Sequence, residues 1–500
     1  MSDKSRKSIS RRMVLAGLLA GAGEVAWGKA PGVSVRPPAR PAGGAVRVVP
    51  EAEALIARIG LTGKLGYVVA NARTGQVLET RNPVLGLPPA SVLKAVTAQY
   101  ALEALGPTHA FVTRIMATGP LVGGRIEGDL VLVGGGDPLL NTDGLAELAA
   151  ALKGAGVREV TGRFLVHDGA LPRIATIDAS QPDHLGYNPA VSGLNLNFNR
   201  VHFEWKKAGE SYDVTMDARS EKYRPDVHMA RMRLADRDMP VYTYASQGGV
   251  EDWTVARSAL GPGGSRWLPV RRPDLYAGEV FQTFARSHGI VLRAPEAVQG
   301  VLPKLLLAER RSIPLQRILR DMLLYSTNLT AEVVGLSATA ERGRLGASLS
   351  ESATEMARWA GARLALRHPE FVDHSGLGGG SRISASDMVR VLMRTGPDST
   401  LASILKPVPM RDETGNVLAD HPARIRAKTG TLNFVSGLAG FIGLPGRTDL
   451  AFAVFAADMD RRDAIRDADR ERPPGARGWN AQAHRMQQGL IDRWSKLYGT

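Results

Sequence analysis

A serine–lysine pair, Ser91-Val-Leu-Lys94, and a serine–asparagine pair, Ser326-Thr-Asn328, stand 232 positions apart (326 − 94), whereas Lys428-Thr-Gly430 follows the second pair by only 102 positions (428 − 326). If all three line one cleft, something domain-sized is looped out between the first and the second. The remainder closes comfortably within one domain. A chain of 500 residues that is 44% hydrophobic has room for two or three such units.

Each motif alone is weak. A second Ser-x-x-Lys occurs at Ser403 to Lys406, but it lies after the Ser-x-Asn and runs directly into Pro407. Ser91 instead opens a run in which Leu93, Val96 and Tyr100 recur at helical spacing. There the backbone N–H groups are free and the positive end of the helix dipole lies behind the hydroxyl. Three residues on, Lys94 projects from the same face. In isolation the pair would be a helix cap beside a solvated lysine; in order with the other two motifs it reads as a nucleophile with its base. A serine hydroxyl needs a base, and Lys94 can serve only when neutral. Burial, together with a second cation in Lys428, would lower its affinity for a proton. Ser326 could relay the proton to a leaving amine, and Asn328 could hold both Lys94 and a substrate amide. Lys428 and Thr429 could bind a terminal carboxylate. Gly430 would let a substrate backbone approach, having no Cβ. The N–H groups of Ser91 and Thr431 would form an oxyanion hole, typically worth ~3 kcal/mol per donor. The expected chemistry is acyl transfer: attack on an amide carbonyl, an acyl-serine intermediate, then water.

Other chemistries find little support. Cysteine is absent, which removes disulfides, thiolate zinc and a thiol nucleophile. Neither Gly-x-Ser-x-Gly nor His-Glu-x-x-His occurs among the motifs. Gly134-Gly-Gly136-Asp137-Pro138 is a turn, not a phosphate loop. His374, between Asp373 and Ser375, reads as a loop histidine rather than a general base. The net charge of +14 favours anionic partners, but no basic run is interleaved with aromatics, so nucleic acid is not expected.

The expected order of parts is as follows. Residues 1–30, with Arg11-Arg12 ahead of a mild apolar run and Ala26-Trp27-Gly28, read as a twin-arginine export signal, and residues 31–46 as a linker. Residues 47–110 and 306–460 form the two parts of one domain, with strands at Gly66–Ala70 and Gln76–Thr80 and later at 423–427, 435–442 and 449–456. Two helices, about 314–324 and 330–341, flank Ser326. Consecutive strands after a helical block suggest an α+β arrangement. Residues 111–305 are glycine-rich and strand-like, the expected insertion. Residues 461–500 hold a charged, solvated loop and an amphipathic helix, with Trp479, Ala483, Met486, Leu490, Trp494 and Leu497 on one stripe. That stripe suits docking on the protein's own core or, as the other reading, peripheral contact with an anionic membrane.

These residues resemble the penicillin-binding serine peptidases, in particular the D-alanyl-D-alanine carboxypeptidase/endopeptidase family of low-molecular-mass class C, over roughly residues 50–460. Beyond the three motifs, Gly128-Asp-Leu-Val-Leu-Val-Gly134 with Gly136-Asp137-Pro138, Tyr187-Asn188-Pro189 through Ser192-Gly-Leu-Asn195 and Asn197, Ser326-Thr-Asn328-Leu-Thr-Ala-Glu332, and Asp373-His-Ser375-Gly376-Leu377 with Arg382 are all similar to that family's pattern. His374 stands where a glycine is usual. The resemblance implies a transpeptidase/β-lactamase-like α/β (α+β) domain with an antiparallel sheet and a helical subdomain, split by large inserted β-rich domains. It implies removal of terminal D-Ala from peptidoglycan stem peptides, often with cleavage of D-alanyl cross-links, and penicillin binding with Ser91 as the acylated residue. No metal or organic cofactor is expected, and the export signal would place the protein in the periplasm. A serine β-lactamase would carry the same motifs with a much shorter first gap; a non-catalytic scaffold would be marked by a broken motif.

Overall fold

The computed structural model describes residues 49, 51–300, 303–412, 414–446 and 449–498. The export segment and linker expected in residues 1–46 lie outside them.

The centre of the molecule is a six-stranded antiparallel sheet in the order Lys406–Val408, Arg424–Leu432, Val435–Gly443, Leu450–Ala457, Lys64–Asn71, Val77–Arg81. Strand Leu450–Ala457 contains no polar residue, and every position in it is buried. Alternation explains this: Ala451, Ala453 and Phe455 face a helical lobe, while Phe452, Val454 and Ala456 face the C-terminal helix Ala476–Tyr498. That helix lays Trp479, Ala483, Met486, Leu490 and Trp494 onto the sheet, with Trp494 against Tyr67 and Phe452. Its apolar stripe is therefore spent on the core rather than offered to a membrane; only Leu497 stays substantially exposed. Among the described residues no helix is long and apolar enough to cross a membrane.

The helical lobe comprises Leu93–Leu105, Leu315–Tyr325, Asn328–Glu341, Leu349–Leu364 and Ala385–Thr395. Two of these starts are capped by serine: Ser348 accepts from the Glu351 N–H and Ser384 from the Asp387 N–H.

The inserted region has its own core, built on a five-stranded sheet in the order Pro295–Val298, Phe164–His167, Leu130–Val133, Val112–Ala117, Leu305–Arg311, with three smaller three-stranded sheets. Strand Leu305–Arg311 pairs antiparallel with Val112–Ala117, placing Arg311 opposite Val112. A boundary at 305 thus cuts through a paired strand; hydrogen bonding carries the insertion to Arg311. Helices Thr142–Gly154 and Pro273–Ser287 cover this sheet, so the region is less purely β than its sequence suggests. A smaller apolar cluster joins the insertion (Leu171, Ile177, Val191) to the helical lobe (Leu329, Val333, Leu336).

Candidate active site

Ser91 sits in a single 3₁₀ turn, Ala90–Val92, that leads into helix Leu93–Leu105. Ala90 takes φ +46°, and the backbone on two sides leaves no room around it. A Cβ on Gly376 would come within 1.9 Å of the Ala90 carbonyl oxygen, and one on Gly430 within 2.7 Å of the Pro89 oxygen and 3.0 Å of the Ser91 nitrogen. The Lys-Thr-Gly strand is thus pressed against the turn that carries Ser91. Gly430 is required by the protein's own backbone, a stronger reason than access for a substrate.

Lys94 is completely buried. Its Nζ lies 2.9 Å from Ser91 Oγ, 2.7 Å from Asn328 Oδ1 and 2.8 Å from the Ser375 carbonyl oxygen. Burial lowers its pKa to about 8, against the opposing pull of Asp373 and Glu332. Of the two causes expected from sequence, burial is the one that acts on Lys94; the like charge of Lys428 is not among its causes. Lys428, also buried, is held well below its ordinary value by burial first and by Lys94 and Lys406 next. Its Nζ lies 3.0 Å from Ser326 Oγ and donates to the Thr429 carbonyl at 2.6 Å.

Ser326 ends helix Leu315–Tyr325 in the left-handed conformation, φ +60°, and Asn328 begins the next helix. That strained junction turns both side chains toward Lys94 and Lys428. Ser91, Ser326, Asn328 and Thr431 line one cleft of about 710 Å³. Thr429 contributes its carbonyl to Lys428. The structure thus assembles the residues from all three motifs in one place.

Sequence reasoning left several groups without a role. Glu332, fully buried, accepts the N–H groups of His374 and Ser375, each at 2.9 Å. Asp373 accepts those of Gly376 and Gly378, at 2.7 and 2.6 Å. Together they shape the loop whose Ser375 carbonyl meets Lys94, and burial raises both carboxyls. The signal for Glu332 was a lone acid in an otherwise apolar helical run, one turn after Asn328. His374 is a core residue: fully buried, its Nε2 2.8 Å from Ser352 Oγ, its pKa depressed to about 3 by burial. The loop after residue 458, expected to be solvated, instead supplies one wall of the cleft through Arg462, Arg470 and Glu471. Glu471 accepts from Arg266 and pairs with His184, and Arg470 donates to the Ser180 carbonyl, so this wall is tied to the insertion. Ser180, Gln181 and Tyr187 of the insertion complete the cleft.

Among the described residues one group has the makings of a metal site, His202, Glu204 and Asp217 in the insertion, but Arg219 already bridges both carboxylates at 2.6 Å.

Comparison with known proteins agrees with this architecture. A D-alanyl-D-alanine carboxypeptidase of Actinomadura sp. (strain R39) is 28% identical over 423 residues, covering 78% of this chain and 77% of that protein. D-alanyl-D-alanine carboxypeptidase DacB of Haemophilus influenzae is 24% identical, covering 78% and 85%. The crystal structure of penicillin binding protein 4 (dacB) from H. influenzae superposes with a TM-score of 0.69 at 20% identity, over 90% of this chain and 99% of that one. The fold is that of a penicillin-binding serine peptidase. The sequence profile of the D-Ala-D-Ala carboxypeptidase 3 (S13) family matches residues 52–471, and the chain belongs to that family of hydrolytic peptidases.

Proposed function

We propose that the protein releases terminal D-Ala from peptidoglycan stem peptides through an acyl enzyme on Ser91, that it also opens D-alanyl cross-links, and that β-lactams acylate the same serine. The observation that carries this reading is the set of partners around Lys94 Nζ: two carbonyl oxygens, Asn328 Oδ1 and Ser375 O, and one hydroxyl, Ser91 Oγ. A neutral amine has two N–H groups and one lone pair. With both N–H groups given to the carbonyls, the lone pair is left for the Ser91 O–H, the arrangement a general base requires. A pKa of about 8 makes the neutral form accessible at physiological pH.

Ser91 Oγ attacks the carbonyl of the penultimate D-Ala as its proton passes to Lys94. The N–H groups of Ser91 and Thr431 receive the oxyanion. Ser326, hydrogen-bonded to Lys428, carries a proton to the leaving amine, while Lys428 and Thr429 hold the departing residue's carboxylate. Asn328 orients Lys94. Water then cleaves the ester. Penicillin binding protein 4 of H. influenzae has been crystallised with a β-lactam, which supports β-lactam acylation here. Export to the periplasm by the twin-arginine route completes the proposal.

The test is to incubate the mature protein and its Ser91→Ala variant with muropeptide pentapeptides and cross-linked dimers. Loss of free D-Ala and of monomer release only in the variant is expected; a fully active Ser91→Ala protein would refute the assignment.

A further inference from the structure

The Asn328 amide has two chemically different ends, and the structure decides which faces Lys94. Oδ1 accepts from Lys94 Nζ at 2.7 Å, while Nδ2 donates to the Tyr187 backbone carbonyl at 2.9 Å. A carbonyl oxygen only accepts, so Tyr187 O claims the N–H end and turns the oxygen end onto Lys94. Were the amide reversed, an N–H would point at the Lys94 amine. It would then compete with Ser91 for the lone pair and repel the ammonium.

Tyr187 belongs to the insertion, 141 positions from Asn328. Its side chain is substantially exposed; it is the backbone that does the holding. That backbone is fixed from beneath by one buried guanidinium. Arg271 Nη1 donates to the Asn188 carbonyl at 2.6 Å and to the Ala175 carbonyl at 3.1 Å, and Nη2 donates to the Asp183 carbonyl at 2.9 Å. These carbonyls bracket Tyr187 on both sides. The Asn188 side chain closes the same loop onto the backbone of Asp178. Arg271 is in turn anchored through its own N–H, which with that of Arg272 donates to the buried Glu251 carboxylate, each at 2.7 Å. A five-donor planar fork suits this task and a lysine does not: three carbonyls need three fixed N–H directions.

We infer that the inserted lobe takes part in the chemistry by fixing the polarity of the Asn328 amide, and that Arg271 is the positioning residue that holds the Tyr187 carbonyl in place for it. The inference rests on the assignment of Lys94 as the base for Ser91. Its consequence is directional. Removing the grip on Tyr187 frees the Asn328 amide and costs the Lys94 ammonium an acceptor. The charged form is then less favoured, and the amine loses its proton at lower pH.

The experiment measures labelled-penicillin acylation and D-Ala release by the mature protein from about pH 6 to about pH 10. Wild type, Arg271→Ala, Arg271→Lys and Ser91→Ala are compared, each with a thermal melt. The wild-type rate should rise through a limb near the Lys94 value. Both Arg271 variants should lose plateau rate by roughly tenfold or more, with the limb displaced to lower pH and KM changed less than kcat. Should Arg271→Ala fail to fold, Arg271→Lys, which keeps the charge but cannot reach three carbonyls, decides by the same criteria. A folded variant with unchanged limb and plateau overturns the inference, as does a rate loss that merely tracks the folded fraction with the limb unmoved. Acylation persisting in Ser91→Ala would instead overturn the underlying site assignment.

Discussion

The fate of two basic side chains shows how burial sets chemistry at single residues. Burial lowers Lys94 from 10.5, but the Asp373 and Glu332 carboxylates pull the other way, and its pKa stays at about 8. His374 has one polar partner, Ser352, and its Nδ1 faces no hydrogen-bond partner. The imidazole sits against Gly335, where a Cβ would come within 2.2 Å of the ring. In the unfolded chain His374 binds a proton below its ordinary pKa of 6.5; in the folded protein it refuses one until about 3. The unfolded state therefore holds more protons between these values, and stability falls as pH falls through that window. Between about pH 7 and about pH 5 this residue costs the native state about 2 kcal/mol. A His374→Leu variant, whatever its absolute stability, should show a shallower loss across that interval in urea titrations. An unchanged slope would mean that the ring is protonated in the folded protein.

At the scale of elements, the contact that matters most is between the strand Arg424–Leu432 and the 3₁₀ turn bearing Ser91. The sequence reading assigned Gly430 to the substrate. The geometry assigns it first to Pro89, Ser91 and Val92, whose backbone atoms lie 2.7–3.0 Å from where a Cβ would stand. These are backbone atoms within a packed core, so they cannot rotate aside. Gly430→Ala should push strand and turn apart, costing about 1–3 kcal/mol of stability. It should also slow penicillin acylation by at least about tenfold, because Thr431 and Ser91 both move relative to the incoming carbonyl. A melt combined with an acylation time course checks both. Helix and strand positions in the catalytic part were largely legible: Val435–Gly443 and Leu450–Ala457 fall within a residue of the hydrophobic runs that announced them. The loop after residue 458 was not, because its mixed charges look solvated until Arg266, His184 and Asn433 are seen to receive them.

For the whole molecule, the question is whether the insertion is an appendage. Its ends, Val112 and Arg311, are paired neighbours, so a short linker could replace everything between them. The structure gives two reasons why this should fail. Leu329, Val333 and Leu336 would lose their cover from Leu171, Ile177 and Val191, and Asn328 would lose the Tyr187 carbonyl. The excised protein should bind a hydrophobic dye and acylate at least about tenfold more slowly than the full chain. Full acylation without dye binding would show the insertion to be dispensable.

The amino-acid order alone determined which chemistry was available and that a large segment had to be looped out. Three ordered motifs, the first two separated by 232 positions, carry that information locally. What only the folded molecule decided was the state of those groups. Lys94 is buried against a loop whose Ser375 carbonyl lies 281 positions away, and the direction of the Asn328 amide is set by a carbonyl 141 positions away. Desolvation and hydrogen-bond polarity are properties of surroundings, and those surroundings come from segments that share no neighbourhood until the chain has folded.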